Sequence, residues 1–223
     1  MVQMRLFFLI VISIIVFNSC INRHVDTEKF FMKEYIIEDN NQGLVDSLID
    51  SRDGKIYKTI SIGNQIWMSE NLAYTPTEGK YWSYNDTIHK SAFYGYLYDW
   101  ETATKVCPCG WHLPSDSEWK RLTDYLGGNQ TAGRKLKEAG NTYWNDPSTN
   151  FKASNESGFT AISGGCRDHN GNFFGIKKVG SWWSSTEDST EYAWARLMSY
   201  SNSIVYTTHN KKSWGFSVRC VKD

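Results

Sequence analysis

The clearest chemical assignment in this chain is a lipid acceptor, Cys20. It follows Met1 to Arg5, an apolar run from Leu6 to Phe17 broken by one Ser, and Asn18-Ser19. A basic start, an apolar stretch of about a dozen residues and a small residue before the cut describe a secretory signal. A Cys at the cut offers its thiol to lipid, so residues 1–19 read as a lipoprotein signal and the mature chain begins at Cys20. Phe17 stands where Leu is usual in such signals, and a plain secretory cut with Cys20 incidental is the alternative. A membrane span needs about 20 apolar residues, and this run falls short. Ile21 lacks the Asp that retains some lipoproteins at an inner membrane. The expected address is therefore the cell envelope, at an outer membrane, with the membrane itself as first partner.

Four further cysteines, Cys107, Cys109, Cys166 and Cys220, form an even set in an exported chain, which implies two disulfides with three possible pairings. Cys107 and Cys109 flank Pro108 and are too close to bridge each other easily. Their spacing is not that of a zinc site. The five histidines are scattered, with no HExxH or GxSxG motif. His112, between Trp111 and Pro114 ahead of a helix, reads as structural. Arg167-Asp168-His169-Asn170 precedes a hairpin tip and reads as an exposed polar turn. Asn155-Glu156-Ser157 and Glu187-Asp188 carry the oxygens that a calcium site would need. The 24 basic and 24 acidic residues balance and form no basic stripe, so nucleic acid is excluded as a partner.

These groups need a scaffold, and aromatic residues supply it. All 10 Trp lie between Trp67 and Trp214. A buried aromatic removes about 150–250 Å² from water, so most of them belong to a core and one or two at most to an exposed surface. Residues 20–52 are polar and charged, with short apolar patches at Phe30-Phe31 and Tyr35-Ile36-Ile37, and read as a tether. The domain then runs over 53–223. Lys55–Ile62 alternates as a strand, Gly63-Asn64 turns, and Gln65–Met68 returns. Residues 73–98 read as packed loops, and Asp99–Val106 as a short helix. Ser115 and Glu118 form a capping box for a helix that presents Trp119, Leu122, Tyr125 and Leu126 on one face and stops at Gly127-Gly128. A second helix is expected over Thr131–Ala139. Short strands follow at Phe159–Ser163, Phe173–Lys177, Gly180–Ser184, Tyr192–Ser199, Ile204–Thr208 and Trp214–Val221. The fold class is α+β, with two or three short helices and a twisted, mostly antiparallel sheet of short strands.

Several motifs occur in order. Asp53-Gly54, Tyr57-Lys58-Thr59, Ile62-Gly63-Asn64-Gln65, Trp67-Met68 and Glu70-Asn71-Leu72 open the series. Tyr94-Gly95, Leu97-Tyr98, Trp100, then Cys107-Pro108 and Gly110-Trp111-His112-Leu113-Pro114-Ser115, then Glu118-Trp119 follow. Asn155–Phe159, Trp182–Thr186 and Gly215–Val221 complete it. Together they resemble the Fibrobacter succinogenes major paralogous domain over residues 53–223. That resemblance implies a C-type-lectin-like fold, in the branch shared with formylglycine-generating enzymes. It implies a Cys107–Cys220 disulfide, and leaves Cys109 and Cys166 to pair with each other.

The enzymes of that branch use paired thiols shortly after a Gly-Gly-Ser-Trp/Tyr strand. The corresponding stretch here, Gly180–Ser189, holds no Cys, which argues against that activity. The Glu-Pro-Asn signature of calcium-dependent lectins is missing too, so no resident cofactor is expected beyond a possible calcium ion. What remains is a binding module whose loops near 75–95, 140–157, 166–172 and 185–191 form the recognition surface. Trp144, Arg167, His169, Glu187 and Asp188 are the candidate contacts, and a glycan or a cell-envelope protein is the expected partner.

Overall fold

The computed structural model describes residues 45–145 and 152–223. In chain order the elements are β1 (Val45–Ile49), β2 (Ile56–Ile62), β3 (Gln65–Met68), β4 (Tyr81–Trp82), α1 (Ile88–Tyr94), β5 (Leu97–Tyr98), α2 (Trp100–Ala103), β6 (Trp111–His112), α3 (Asp116–Tyr125) and α4 (Asn129–Leu136). Then come β7 (Cys166–Arg167), β8 (Phe173–Phe174), β9 (Val179–Glu187), β10 (Tyr192–Ser199), β11 (Val205–Lys211) and β12 (Val221–Lys222). The fold is α+β, as the sequence pattern indicates, with four short α-helices among the described residues rather than two or three.

One antiparallel sheet has the order β1-β2-β3-β12-β6, and a second has β11-β10-β9. The hairpins β4-β5 and β7-β8 stand beside them. The β2–β3 hairpin turns at Gly63-Asn64, with Ile62 opposite Gln65. Part of the expected tether is in the sheet, because β1 pairs with β2 from Val45↔Ile60 to Ile49↔Ile56. The 73–98 region also holds more regular structure than its composition indicates, namely β4, α1 and β5.

The closing segment joins these parts. Gly215 bridges to Arg167, Phe216 to Tyr98 and Ser217 to Trp182, and Val221 pairs with both Trp67 and His112. A strand was expected over Trp214–Val221. Its hydrogen bonds instead go to a different neighbour at almost every residue, so no continuous ladder forms before β12.

The adjacent residues Trp182 and Trp183 key two separate cores. Successive strand side chains point to opposite faces. Trp183 accordingly packs with Tyr98, Trp100, Phe216 and Val218, and Trp182 with Trp67, Trp119, Phe159 and Val221. Their indole N–H groups donate to Tyr98 O at 2.8 Å and to Asn71 Oδ1 at 2.9 Å. Trp67, Trp100, Trp119, Trp144, Trp182 and Trp183 are all buried, which matches the expected role of most tryptophans.

Helix α3 starts as the capping box requires: Ser115 Oγ accepts from Glu118 N, and Glu118 Oε2 accepts from Ser115 N at 2.8 Å. Trp119 and Leu122 face the core, but Tyr125 is 67 % exposed. Its ring lies over Gly63, where a Cβ would come within 3.1 Å of it. Helix α4 starts two residues earlier than expected and ends three residues earlier, at Leu136, because Lys137 leaves it to bridge Ala161.

Candidate functional site

Cys107 and Cys220 form the disulfide that the family resemblance implies. The second pairing is not formed. Cys109 is an exposed free thiol and Cys166 a buried one. Cys166 is held in β7 with its sulfur against Phe174 O at 3.8 Å, and burial pushes its thiol up to about 12. Cys20 and the signal lie outside the described residues, as does the tether up to residue 44.

His112 has the structural place its context suggests. Nε2 meets Glu118 Oε1 at 3.0 Å and Nδ1 meets Asp223 Oδ1 at 2.6 Å, so the ring clamps the start of α3 to Asp223, just after β12. Burial alone would lower its pKa, but the two carboxylates more than offset this and raise it. Glu118 is lowered: burial would raise it, and the Ser115 and His112 hydrogen bonds prevail.

The five candidate contacts separate into three groups. Trp144 is a core residue, 4 % exposed, with its N–H on Ala161 O at 2.9 Å. It is thereby removed from any recognition surface. Glu187 and Asp188 end β9 and are already engaged. Glu187 Oε1 accepts from Lys212 Nζ at 2.7 Å, and Asp188 Oδ2 meets His209 Nδ1 at 2.9 Å. Asn155 is tied to Thr160, and Glu156 pairs with Lys135 at 3.0 Å. Among the described residues no three His, Cys, Asp or Glu side chains gather as a metal site.

Arg167 and His169 are different, because the β7–β8 hairpin brings them to an aromatic surface. Asp168 builds its turn by accepting from the backbone N–H groups of Asn170 and Asn172, both at 2.9 Å. Hydrogen bonds from Asn172 hold that carboxyl below its ordinary range. Arg167 stands opposite Phe173 in the register, and its guanidinium lies 4.3 Å over the Trp82 ring and 5.7 Å from Phe173. Two glycines make room. A Cβ on Gly215 would meet Trp82 at 2.9 Å, and one on Gly171, at φ +95°, would meet Arg167 Nη2 at 2.9 Å. On the hairpin's other face, Phe174 is 42 % exposed and meets Trp214 edge-on. His169 stacks on Trp214 at 6.4 Å.

No hydrogen bond or ion pair reaches the Arg167 side chain among the described residues, and its buried Nε has no acceptor. The site therefore offers one cation with unspent donors, lying over a ring, with further partly exposed rings around the hairpin. Sequence reasoning missed Trp82, Phe173, Phe174 and Trp214. Phe173-Phe174 beyond the Asn170-Gly171 turn was the available signal for the hairpin; Trp82 had none.

A concavity of about 150 Å³ lies away from the hairpin, between the start of β2 and the end of α1, with Ile56 and Phe93 on its rim and Asn71 and Arg219 on its floor. That floor is spent on the fold. Arg219 donates to Asn71 Oδ1 at 3.0 Å and to the carbonyls of Met68, Phe159 and Thr160.

The family model of the Fibrobacter succinogenes major domain matches residues 60–222. The chain belongs to that family. The motifs that mark this Fibrobacter succinogenes major domain are, in the structure, the joints of the fold: Asn71 between Trp182 and Arg219, Cys107 tied to Cys220, and Ser115 and Glu118 capping α3. Arg167 and the hairpin tip stand apart from these joints. No curated protein and no solved structure matches the chain.

Proposed function

We propose that this protein is an envelope-anchored binding module. Cys20 carries the lipid at an outer membrane, the polar segment after it is the tether, and a C-type-lectin-like domain presents the Arg167 hairpin to a glycan. The observation that carries the reading is the unpartnered Arg167 guanidinium held against Trp82, on a hairpin flanked by partly exposed rings. Small scaffolds of this kind place recognition on loops over a rigid, cross-linked core. The candidate calcium oxygens are bound to protein cations and amides, so recognition is expected to survive EDTA.

An enzyme on the formylglycine-generating scaffold is disfavoured. Gly180–Ser189 carries no Cys, and the two free thiols among the described residues differ in kind, one exposed and one buried. Stable anchoring by more than one acyl chain, at about 0.8 kcal/mol per buried CH₂, fits a lipoprotein. A glycan array probed with the chain beginning at Ile21, with and without EDTA, tests the ligand class. Binding that Arg167→Ala removes supports the reading, and a blank array with a folded protein contradicts it. Palmitate labelling that is lost in Cys20→Ala supports the anchor. Unchanged labelling in that variant contradicts it.

A further inference from the structure

Three other arginines of the domain are held by protein acceptors. Arg52 is bound to Asp50 at 2.6 Å, Arg196 to Asp116 at 2.7 Å, and Arg219 to one side-chain amide and three carbonyls. Arg167 is partly buried and yet has no such partner. Desolvating a guanidinium costs free energy unless its N–H groups are satisfied, so an unsatisfied one at a partly exposed site is suited to a visiting acceptor. The position of this side chain is also constrained. Its guanidinium carbon lies 4.3 Å over the Trp82 ring, Phe173 stands across the hairpin, and Gly171 and Gly215 leave the clearance that keeps it there. The turn above it is pinned by the three hydrogen bonds that Asp168 accepts from Asn170 and Asn172. A rigid planar fork of this kind matches a carboxylate through two parallel hydrogen bonds.

We infer that the ligand of this site is an acidic glycan, in which a uronate carboxylate takes the free edge of the Arg167 guanidinium and the apolar faces of neighbouring sugar rings rest on the exposed aromatics of the hairpin. The inference rests on the binding-module reading and gives its ligand a chemical class. Rings favour a glycan over an acidic peptide. Phe173 shares Arg167's face of the hairpin and is partly exposed, and Phe174, 42 % exposed, and partly exposed Trp214 add apolar surface on the other face. The recognition is a hydrogen-bonded contact in the plane of the guanidinium, so Lys is a poor substitute: an ammonium lacks the fork and cannot stack on Trp82 in the same way.

Calorimetric titration of the chain beginning at Ile21 with oligogalacturonate tests this, with the methyl-esterified oligomer, a neutral galactan oligomer and polyglutamate as the other probes. Binding is expected for oligogalacturonate alone. It should weaken about tenfold or more on esterification and in Arg167→Ala, and Arg167→Lys should restore little of it, since bonds to charged groups account for that range. Added salt should weaken it, and EDTA should not. Thermal melts of both variants report whether they fold. Trp214→Ala should weaken binding while leaving the preference for the free acid intact. Equal binding of ester or neutral oligomer overturns the acidic class and leaves the binding-module reading standing. Binding of polyglutamate without any oligosaccharide replaces the glycan with an acidic peptide. Absence of binding to all four overturns the inference, and a blank glycan array then removes the reading beneath it.

Discussion

Replacing Asn71 should cost more stability than its size implies. The side chain is 5 % exposed and every hydrogen-bonding position on it is engaged. Nδ2 donates to Tyr94 O at 2.9 Å and to Ser217 Oγ at 3.3 Å, and Oδ1 accepts from Trp182 Nε1 at 2.9 Å and from Arg219 Nε at 3.0 Å. Asn71→Ala leaves a buried indole N–H and a buried guanidinium N–H without their acceptor. Each orphaned buried group costs about 1–3 kcal/mol, with the charged one at the upper end. The total is about 3–6 kcal/mol, against a whole-domain stability of about 5–15 kcal/mol. Asn71→Asp keeps both accepted bonds and sets a carboxylate beside Arg219, losing the two donated bonds. It should fall between wild type and Asn71→Ala. Urea unfolding of the chain beginning at Ile21, followed by tryptophan fluorescence, measures all three. If Asn71→Ala unfolds within about 1 kcal/mol of wild type, an ordinary value for a single substitution, Asn71 is not the joint between Trp182 and Arg219 and the reasoning fails.

Reducing Cys107–Cys220, whose ends are 113 residues apart, should lower stability by up to about 5 kcal/mol in the chain-entropy treatment, read as a lower urea midpoint with reductant; an unchanged midpoint contradicts it. In the oxidised native protein a thiol reagent should label Cys109 at once and Cys166 only on unfolding, and rapid labelling of both would place Cys166 wrongly. The His112 clamp has a pH window. His112 is raised above its ordinary 6.5, so its contribution is complete below that pH and is lost as pH rises through the higher folded value. Glu118 is lowered below 4.5, so its contribution is complete above that pH and is lost as pH falls through the lower folded value. The stability conferred by the clamp should therefore peak between about 4.5 and 6.5 and disappear in His112→Ala; a variant that keeps the wild-type pH profile of urea midpoints counts against it. Gly171→Ala puts a Cβ about 2.9 Å from Arg167 Nη2 at a positive φ, so glycan binding should weaken more than the melting temperature falls, and normal binding would show that Arg167 is not held as described.

The parts legible in the sequence are those with local causes. The β2–β3 hairpin carries its turn at Gly63-Asn64, α3 carries its cap at Ser115 and Glu118, and the β7–β8 tip carries Asn170-Gly171. Elements made by distant partners were harder to read. Val45–Ile49 is a strand because β2 is there to pair with it, and nothing inside those five residues separates them from a polar tether. Helix α1 is short and mixes Ile88, His89 and Phe93, with too few apolar positions to set a period. Residues 214–220 have strand-like composition, but the neighbours they meet one by one come from four regions of the chain. Burial of a given Trp was likewise invisible: Trp144 and Trp214 are the same residue type, and only packing makes one core and the other partly exposed. Arg167 and His169 could be nominated from a polar turn. Trp82, which orients Arg167, sits far away in sequence and reaches it through Gly215.

The central claim is that ligand meets the domain at Arg167, and an arginine side-chain NMR titration tests it most directly. The Arg167 guanidinium signals should move on addition of oligogalacturonate, while the Arg219 Nε–H signal, already donated to Asn71 Oδ1 inside the fold, stays in place. Ligand-induced shifts at other residues with the Arg167 signal unmoved would contradict the account.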